Sequence, residues 1–314
     1  MNPSFDILIA GELNPDLILS GEVTPSFGQV EKLVDMADMT VGSSSAIFAC
    51  AAARLGLKVA FAGVCGPDMF GRFMLDELSQ RGVDISNVII DPLCRTGLSV
   101  ILSRPHASVT GERAILTHLG SIDRLNAGQV PHDLLQKARH LHITSYFLQT
   151  ALQPGLPDLF QRAHALGLTT SLDTNWDPDE TWRGLDELLR GVDVFLPNEN
   201  EALAISGAAN AEAALEILNQ KSRVVAIKCG RSGAIAGRGG ETARVKALMV
   251  QVVDTVGAGD NFDAGFLYGW LNDWTLVRSL ALGSACGSLS TRAAGGTSAQ
   301  PSLEEAIRYV ASNG

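Results

Sequence analysis

Phe5-Asp6-Ile7-Leu8-Ile9-Ala10-Gly11 is the stretch that decides the fold class. An apolar run of strand length that stops at a glycine reads as a strand buried on both faces. Such strands belong to parallel sheets covered by helices. Downstream, Ser43-Ser44-Ser45-Ala46-Ile47-Phe48-Ala49-Cys50-Ala51-Ala52-Ala53-Arg54-Leu55 predicts an alanine-rich helix stopped by Gly56, and Lys58 to Ala62 predicts a second strand before another glycine turn. From about residue 131 the alternation returns. Helices are expected over 131–138, 155–166 and 182–190, near 199–206 and over 210–220, and strands over 139–144, 168–172, 192–196 and 223–228. A long helical region covers about 259–294. This rhythm predicts an α/β fold: a doubly wound, mostly parallel sheet with helices on both faces.

Two stretches leave that rhythm. In 12–41, Leu17-Ile18-Leu19 precedes Ser20-Gly21; in 94–119, Gly97 to Leu102 pairs across a turn at Gly111 with Arg113 to Leu116. Both read as β-hairpins. Together they predict a small β-sheet lid over a body formed by 1–11, 42–93 and 120–314. A lid over a cleft suits a reaction that excludes water, whereas fixed surface hairpins would leave the same pattern. Its edges offer a surface for a homodimer.

The 314 residues, 46% hydrophobic, can build a core without staples. A formal net charge of -10, with no Lys/Arg cluster, argues against a nucleic-acid partner, so any bound anion must be held by local groups. Cys50, Cys65, Cys94, Cys229 and Cys286 are scattered, odd in number and without metal-ligand spacing, which suits a reducing compartment. The opening residues have no basic stretch ahead of a short apolar run, so neither export nor a membrane anchor is expected and the location expected is cytoplasmic.

The chemistry lies in Val252-Val253-Asp254-Thr255-Val256-Gly257-Ala258-Gly259-Asp260-Asn261-Phe262. A strand-like segment meets a helix through Gly-Ala-Gly, whose small residues permit a tight turn with successive amides at the positive end of the helix. That is an anion hole made of backbone. Asp260, in the first helical turn, either acts beside the anion or merely favours the helix start; phosphoryl transfer to a hydroxyl needs both the donors and such a base.

Asp-Thr-x-Gly-Ala-Gly-Asp at 254–260 resembles the C-terminal signature of the ribokinase family, also called PfkB carbohydrate kinases. The resemblance implies Asp260 as catalytic base, an anion hole at Gly257, Ala258 and Gly259, and Asp254 and Thr255 beside the nucleotide. It also implies a monovalent cation such as K+ near the backbone of Asp254 and Val256. Pro197-Asn198-Glu199-Asn200-Glu201 is similar to the family's Pro-Asn-x-x-Glu, so Asn198 and Glu201 would organise Mg2+ through water and Asn198 would border the nucleotide; an ordinary helix cap has the same sequence. Lys228-Cys229-Gly230-Arg231-Ser232-Gly233 resembles the turn that meets the nucleotide, giving Lys228, Gly230 and Gly233 that role, although a plain β-turn would look alike. Gly11-Glu12-Leu13-Asn14-Pro15-Asp16 is similar to the first strand exit, where Asn14 and Asp16 would bind acceptor hydroxyls.

The chain also departs from the family pattern. Val41-Gly42-Ser43-Ser44-Ser45-Ala46 keeps one of two usual glycines and lacks the lysine and asparagine of ribokinase itself. Gly42 and Ser43 remain candidates for the acceptor, and the serines could bind hydroxyls or cap the helix. Asp173-Thr174-Asn175-Trp176-Asp177-Pro178 resembles the Asp-x-Asn-x-Arg of fructokinase and ketodeoxygluconate kinase relatives, with Asn175 at the acceptor and Asp177 in place of the arginine. Losing that cation favours a neutral acceptor. Ser284 stands where relatives often place an asparagine near the adenine.

The sequence has no P-loop, no Gly-x-Gly-x-x-Gly after the first strand, no Gly-x-Ser-x-Gly and no His-Glu-x-x-His. His140 and His142, alternating on a strand, read as edge polar residues. The expected function is ATP- and Mg2+-dependent phosphorylation of a small neutral sugar. A nucleoside kinase of the same family and a non-catalytic sugar or nucleotide sensor are the alternatives.

Overall fold

The computed structural model describes residues 3–104 and 112–313. The expected turn at Gly111 lies outside the described residues. In chain order the elements are β1 (Ile7–Ala10), β2 (Pro15–Ser20), β3 (Met36–Val41), α1 (Ser44–Arg54), β4 (Val59–Cys65), α2 (Met69–Gln80), β5 (Asp84–Ile90), β6 (Leu98–Arg104) and β7 (Glu112–His118). They continue with α3 (His132–Leu135), β8 (His140–Ile143), α4 (Leu156–Ala165), β9 (Thr169–Leu172), α5 (Leu185–Leu188), β10 (Val194–Phe195), α6 (Glu199–Ser206), α7 (Ala211–Leu218) and β11 (Val224–Lys228). The last are β12 (Ala234–Arg238), β13 (Glu241–Val245), α8 (Ala258–Leu271), α9 (Leu276–Ser290) and α10 (Leu303–Asn313).

The larger sheet runs β13-β12-β11-β10-β9-β8-β1-β4-β5. All neighbours from β11 to β5 are parallel, while β12 and β13 pair antiparallel at one edge. The reading of Phe5 to Gly11 as a strand buried on both faces holds because its side chains alternate between two cores. Ile7 and Ile9 join Phe48, Phe61, Phe266 and Leu280 on one side; Leu8 and Ala10 join Leu141, Leu156, Phe160 and Leu215 on the other. Each fully buried Leu, Ile or Phe contributes roughly 1.5–3 kcal/mol of transfer free energy, so a strand with no polar face is held from both sides.

A separate four-stranded sheet, β3-β2-β6-β7, forms the small lid. The two hairpins are stitched together by parallel pairing of β2 with β6, from Asp16↔Ser99 to Ser20↔Ser103. Its outer strand β7 leaves Ile115 and Leu116 exposed.

Several boundaries differ from expectation. The region 259–294 is a helical hairpin rather than one run: Asp273 takes φ 55 and Thr275 caps α9 through Arg278 N. The helices expected over 131–138 and 182–190 shrink to single turns, the first starting after Pro131. The strand-like segment before Gly257 is no strand; β13 ends at Val245, and Val253 and Asp254 donate to Thr291 O on the α9 end. His140 and His142 are not edge residues, since β8 lies in the middle of the sheet and both are fully buried. Their Nε2 and Nδ1 atoms share Ser171 Oγ at 2.6 Å, and burial pushes His140 down to about 3, so it is neutral at ordinary pH.

Candidate active site

In an open parallel sheet the crevice lies beyond the carboxyl ends of the strands, where strand order reverses. Here the reversal falls at β1, which has β4 on one side and β8 on the other. The exits of β1, β8, β9, β10 and β11 and the start of α8 deliver the polar side chains of the site.

Glu12 leaves β1 and is buried. Its carboxylate accepts from Ser45 N (3.2 Å), Ser45 Oγ (2.6 Å) and Ser145 Oγ (2.8 Å), joining the start of α1 to the exit of β8. Asn14 is buried, with Nδ2 donating to Pro15 O. Asp16 is 7% exposed, and burial pushes its carboxyl up to about 7, with Arg113 of the lid opposing and Asp254 reinforcing the rise. Gly42 gives Asp16 its room, since a Cβ there would come within 2.2 Å of Asp16 Oδ1. Ser43 caps α1, accepting from Ala46 N and donating to Glu12 O at 2.7 Å, so the capping role is the one it performs.

At the exit of β9, Asp173 and Asn175 face α1 and α8. Asp173 Oδ2 accepts from Lys228 Nζ at 2.7 Å, and Lys228 also donates to Asp263 at 3.1 and 3.2 Å. Lys228 Nζ is thus committed to two buried carboxylates, yet a Cβ built on Gly259 would lie 3.5 Å from it, so its charge sits under the phosphate-sized turn. Burial raises Asp173, but Lys228 and hydrogen bonds from Asp263, Lys228 and Asn175 N outweigh it and hold the group below its ordinary value. Burial drives Asp263 well above the carboxylate range, so one proton is shared and Asp263 carries it. Burial opposes the Lys228 charge, yet Asp173, Asp263 and Glu201 hold it above its ordinary value.

Asn198 and Glu201 form a capping box at the start of α6. Asn198 Oδ1 accepts from Glu201 N, while the Glu201 carboxylate accepts from Asn198 N (2.9 Å) and Nδ2 (2.5 Å). The helix-cap reading of this pair is therefore realised, and each Glu201 oxygen keeps a lone pair for water on a metal. Burial, with Asp173 nearby, pushes Glu201 up to about 7.

Gly257 begins α8 at φ 70, a conformation that glycine adopts without strain, and no side chain caps this helix. Ala258 N closes onto Thr255 O at 3.3 Å. The amides of Gly257, Gly259 and Asp260 have no protein acceptor among the described residues. Asp260 is 7% exposed; burial pushes its carboxyl up to about 8, Asp173 and Glu12 add to the rise, and Lys228 and a hydrogen bond from Ser44 oppose it. Beside this turn lies a cavity of about 620 Å³ lined by Lys228, Gly230, Gly233, Thr255, Gly259 and Phe262, with Leu248 and Ser284 on its far side. Ser284 Oγ donates to Lys246 O. Asp254 accepts from Val256 N and Gly295 N, tying the segment before α8 to the loop after α9.

The structure thus gathers Thr255, Ala258, Gly259, Lys228, Gly230, Gly233 and Ser284 around one opening, with Gly257 and Asp260 flanking Ala258 and Gly259 at the start of α8 and Asn14, Asp16, Gly42 and Asn175 on the β1 and β9 side. Sequence reading assigned no role to Glu12, Ser145, Asp173 or Asp263. Asp263 carried the readable signal, an acid three residues after Asp260 in an otherwise apolar helix.

The chain matches the model of the pfkB family carbohydrate kinases over residues 6–303. It is 31% identical over 223 residues to an uncharacterized sugar kinase of Archaeoglobus fulgidus, covering 69% of this chain and 85% of that one. It is 27% identical over 312 residues to a ribokinase of Haemophilus influenzae, covering 97% and 98%. An E. coli chain crystallised with ATP and Mg2+ superposes with a TM-score of 0.86 at 22% identity, covering 98% of this chain and 100% of that one. The chain belongs to the pfkB carbohydrate kinases, phosphotransferases that use an alcohol group as acceptor.

Replacing Lys228 with Met leaves Asp173 buried without its cation. Unfolding in urea is expected to show a loss of about 3 kcal/mol, the scale for breaking a buried pair, with part recovered in Lys228→Met/Asp173→Asn. An unchanged midpoint would remove the pair from the stability of the fold.

Proposed function

We propose that this kinase transfers the γ-phosphoryl group of ATP to a hydroxyl of a small neutral sugar, with Asp260 as general base. The observation that carries the reading is the mouth of α8: uncapped amides beside a buried carboxylate, opening on a cavity of nucleotide size. In this reaction the acceptor oxygen forms a bond to the γ-phosphorus as its proton passes to Asp260. The bond from γ-phosphorus to the bridging oxygen breaks, and its electrons leave on ADP. The amides of Gly257 and Gly259 and the charge of Lys228 face the phosphoryl oxygens, whose charge spreads in the transition state.

Mg2+ neutralises phosphate charge, and Asn198 with Glu201 would hold its waters; the free lone pairs on Glu201 suit that role. Closure of the lid, residues 12–41 and 94–119, would exclude water from the body. Asn14 and Asp16, on the lid's inner strand and its approach, would take acceptor hydroxyls. Two features favour a neutral acceptor. The Asp177 carboxylate is turned onto its own loop, accepting from the amides of Asp179, Thr181 and Trp182, and the buried Glu12 carboxylate lies on the acceptor side. A K+ ion held by main-chain oxygens near Asp254 and Val256 belongs to the same proposal, and turnover indifferent to K+ would remove it.

Asp260→Asn is expected to keep ATP binding and to lower turnover by roughly 10²-fold or more. Because the base must be ionised and its carboxyl is pushed up to about 8, kcat/KM should climb with pH toward about 8 rather than level off near pH 5. Unchanged turnover in the variant overturns the base assignment. ATP consumption with ribose, fructose, ketodeoxygluconate, adenosine and cytidine tests the acceptor. Fastest turnover of ketodeoxygluconate overturns neutrality, of a nucleoside overturns the sugar, and turnover of none favours the sensor.

A further inference from the structure

The cavity beside the α8 turn has two unlike ends. Lys228 and Arg231 come from the end of β11 and the turn after it, and Lys228 Nζ lies under Gly259. The far wall is the segment between β13 and α8, where Leu248, Met249, Val250 and Val252 line the opening. Met249 is 95% exposed and Val252 is exposed as well, so this wall offers apolar surface that the protein leaves uncovered. Open apolar side chains beside a cavity fit the flat face of a heteroaromatic ring. Placing the nucleotide base against them rests on the kinase reading above.

Telling one purine from another needs more than a flat wall. Adenine presents an amino group where guanine presents a carbonyl oxygen, so a discriminating side chain must be held as a donor only or as an acceptor only. Among the described residues that line this cavity none is Asn, Gln, Asp, Glu or His. The hydroxyls of the far side come from Ser284, Ser288 and Thr291, on α9 and its end, and all three are tied to main chain. Ser284 Oγ donates to Lys246 O at 3.1 Å, which leaves it lone pairs for an amino group. Ser288 Oγ accepts from Leu248 N at 3.2 Å, which leaves it a proton for a carbonyl oxygen. Thr291 Oγ1 donates to Ser288 O at 2.7 Å. Between them the serines suit either base edge. The Lys246 carbonyl and the Leu248 amide are engaged by those serines, and Met249, Gln251 and Val252 lie in exposed chain, where water competes for any contact with a base.

We propose that this kinase holds its phosphoryl donor by the triphosphate and by the faces of the base, so that GTP and ITP serve as donors alongside ATP. A buried site built to hydrogen-bond one group rejects the analogue lacking it by roughly 10⁴–10⁵-fold. A single hydrogen bond made in competition with water changes affinity by only about tenfold. The wall formed by 248–252 is of the second kind, because its apolar side chains make no distinction between an amino group and an oxygen on the ring edge.

The experiment measures kcat/KM for ATP, GTP and ITP with Mg2+ and the best acceptor of the panel, and, by calorimetry without acceptor, the Kd of ADP, GDP and IDP. The three values should agree within about tenfold in each readout, and a wider gap in either overturns the inference while turnover with ATP leaves the kinase reading standing. Ser284→Ala removes the lone pairs offered to an amino group, and the ATP-to-GTP ratio of kcat/KM should move by less than about tenfold. A larger fall in that ratio would make this hydroxyl the reader of the base and overturn the inference. Absence of turnover with ATP overturns the kinase reading itself, so the two failures are told apart.

Discussion

The site depends on one buried amine facing several buried acids. Lys228 comes from the last residue of β11 and meets Asp173 from β9 and Asp263 from α8, with Glu201 close enough to add to its field. Strand ends that could otherwise splay are tied by this ion, since β11 carries it and the β9 exit and α8 contribute its partners. The charges do not cancel by themselves. With Asp173 ionised and Lys228 charged, Asp263 carries a proton, and Asp260 and Glu201 are pushed upward by burial, with the Asp173 charge adding to the rise. Burial first, and this crowding after it, lifts the Asp260 carboxyl to about 8.

That electrostatic arrangement has a counterpart in the polypeptide backbone. The site is made where chain segments leave regular structure: the exits of β1, β8 and β9 and the starts of α1, α6 and α8. Gly257 gives α8 an uncapped start, and its amides are left for an anion because no side chain takes them. At α6 the opposite choice is made, and Asn198 and Glu201 cap the helix start with reciprocal hydrogen bonds. Two helices thus start at the same crevice with different chemistry, one with free amides and one capped by a buried carboxylate.

How much of this could be read beforehand follows from the range of the interactions. Periodicity is local, so β1, β4, α1 and the alternation from 131 to 228 were legible, as was the start of α8, which lies in one contiguous string. The split of 259–294 hung on a left-handed Asp273, which no apolar pattern marks. β12 is built from Ala234, Ile235, Ala236 and Gly237, too poor in β-branched residues to announce a strand, and it forms because β11 offers it an edge. Lys228 and Asp173 are 55 positions apart, and Glu12 and Ser145 are 133 apart. Pairing over that distance is decided by sheet order, which local patterns do not encode. The edge reading of His140 and His142 failed for the same reason: a strand of two histidines looks like an edge until its neighbours are known, and here Ser171 and Thr169 supply the polar partners that let it lie in the middle.

An acidic chain that must bind a polyanion meets a conflict that bulk charge cannot resolve. Net charge is -10, and the crevice itself holds Glu12, Asp16, Asp173, Glu201, Asp260 and Asp263. Burial reduces the conflict, because the groups it pushes upward are the ones nearest the phosphate turn, and a protonated carboxyl does not repel phosphate. An arriving triphosphate would push these groups further toward their neutral forms, so the field at the turn is left to the Lys228 charge and the uncapped amides of α8.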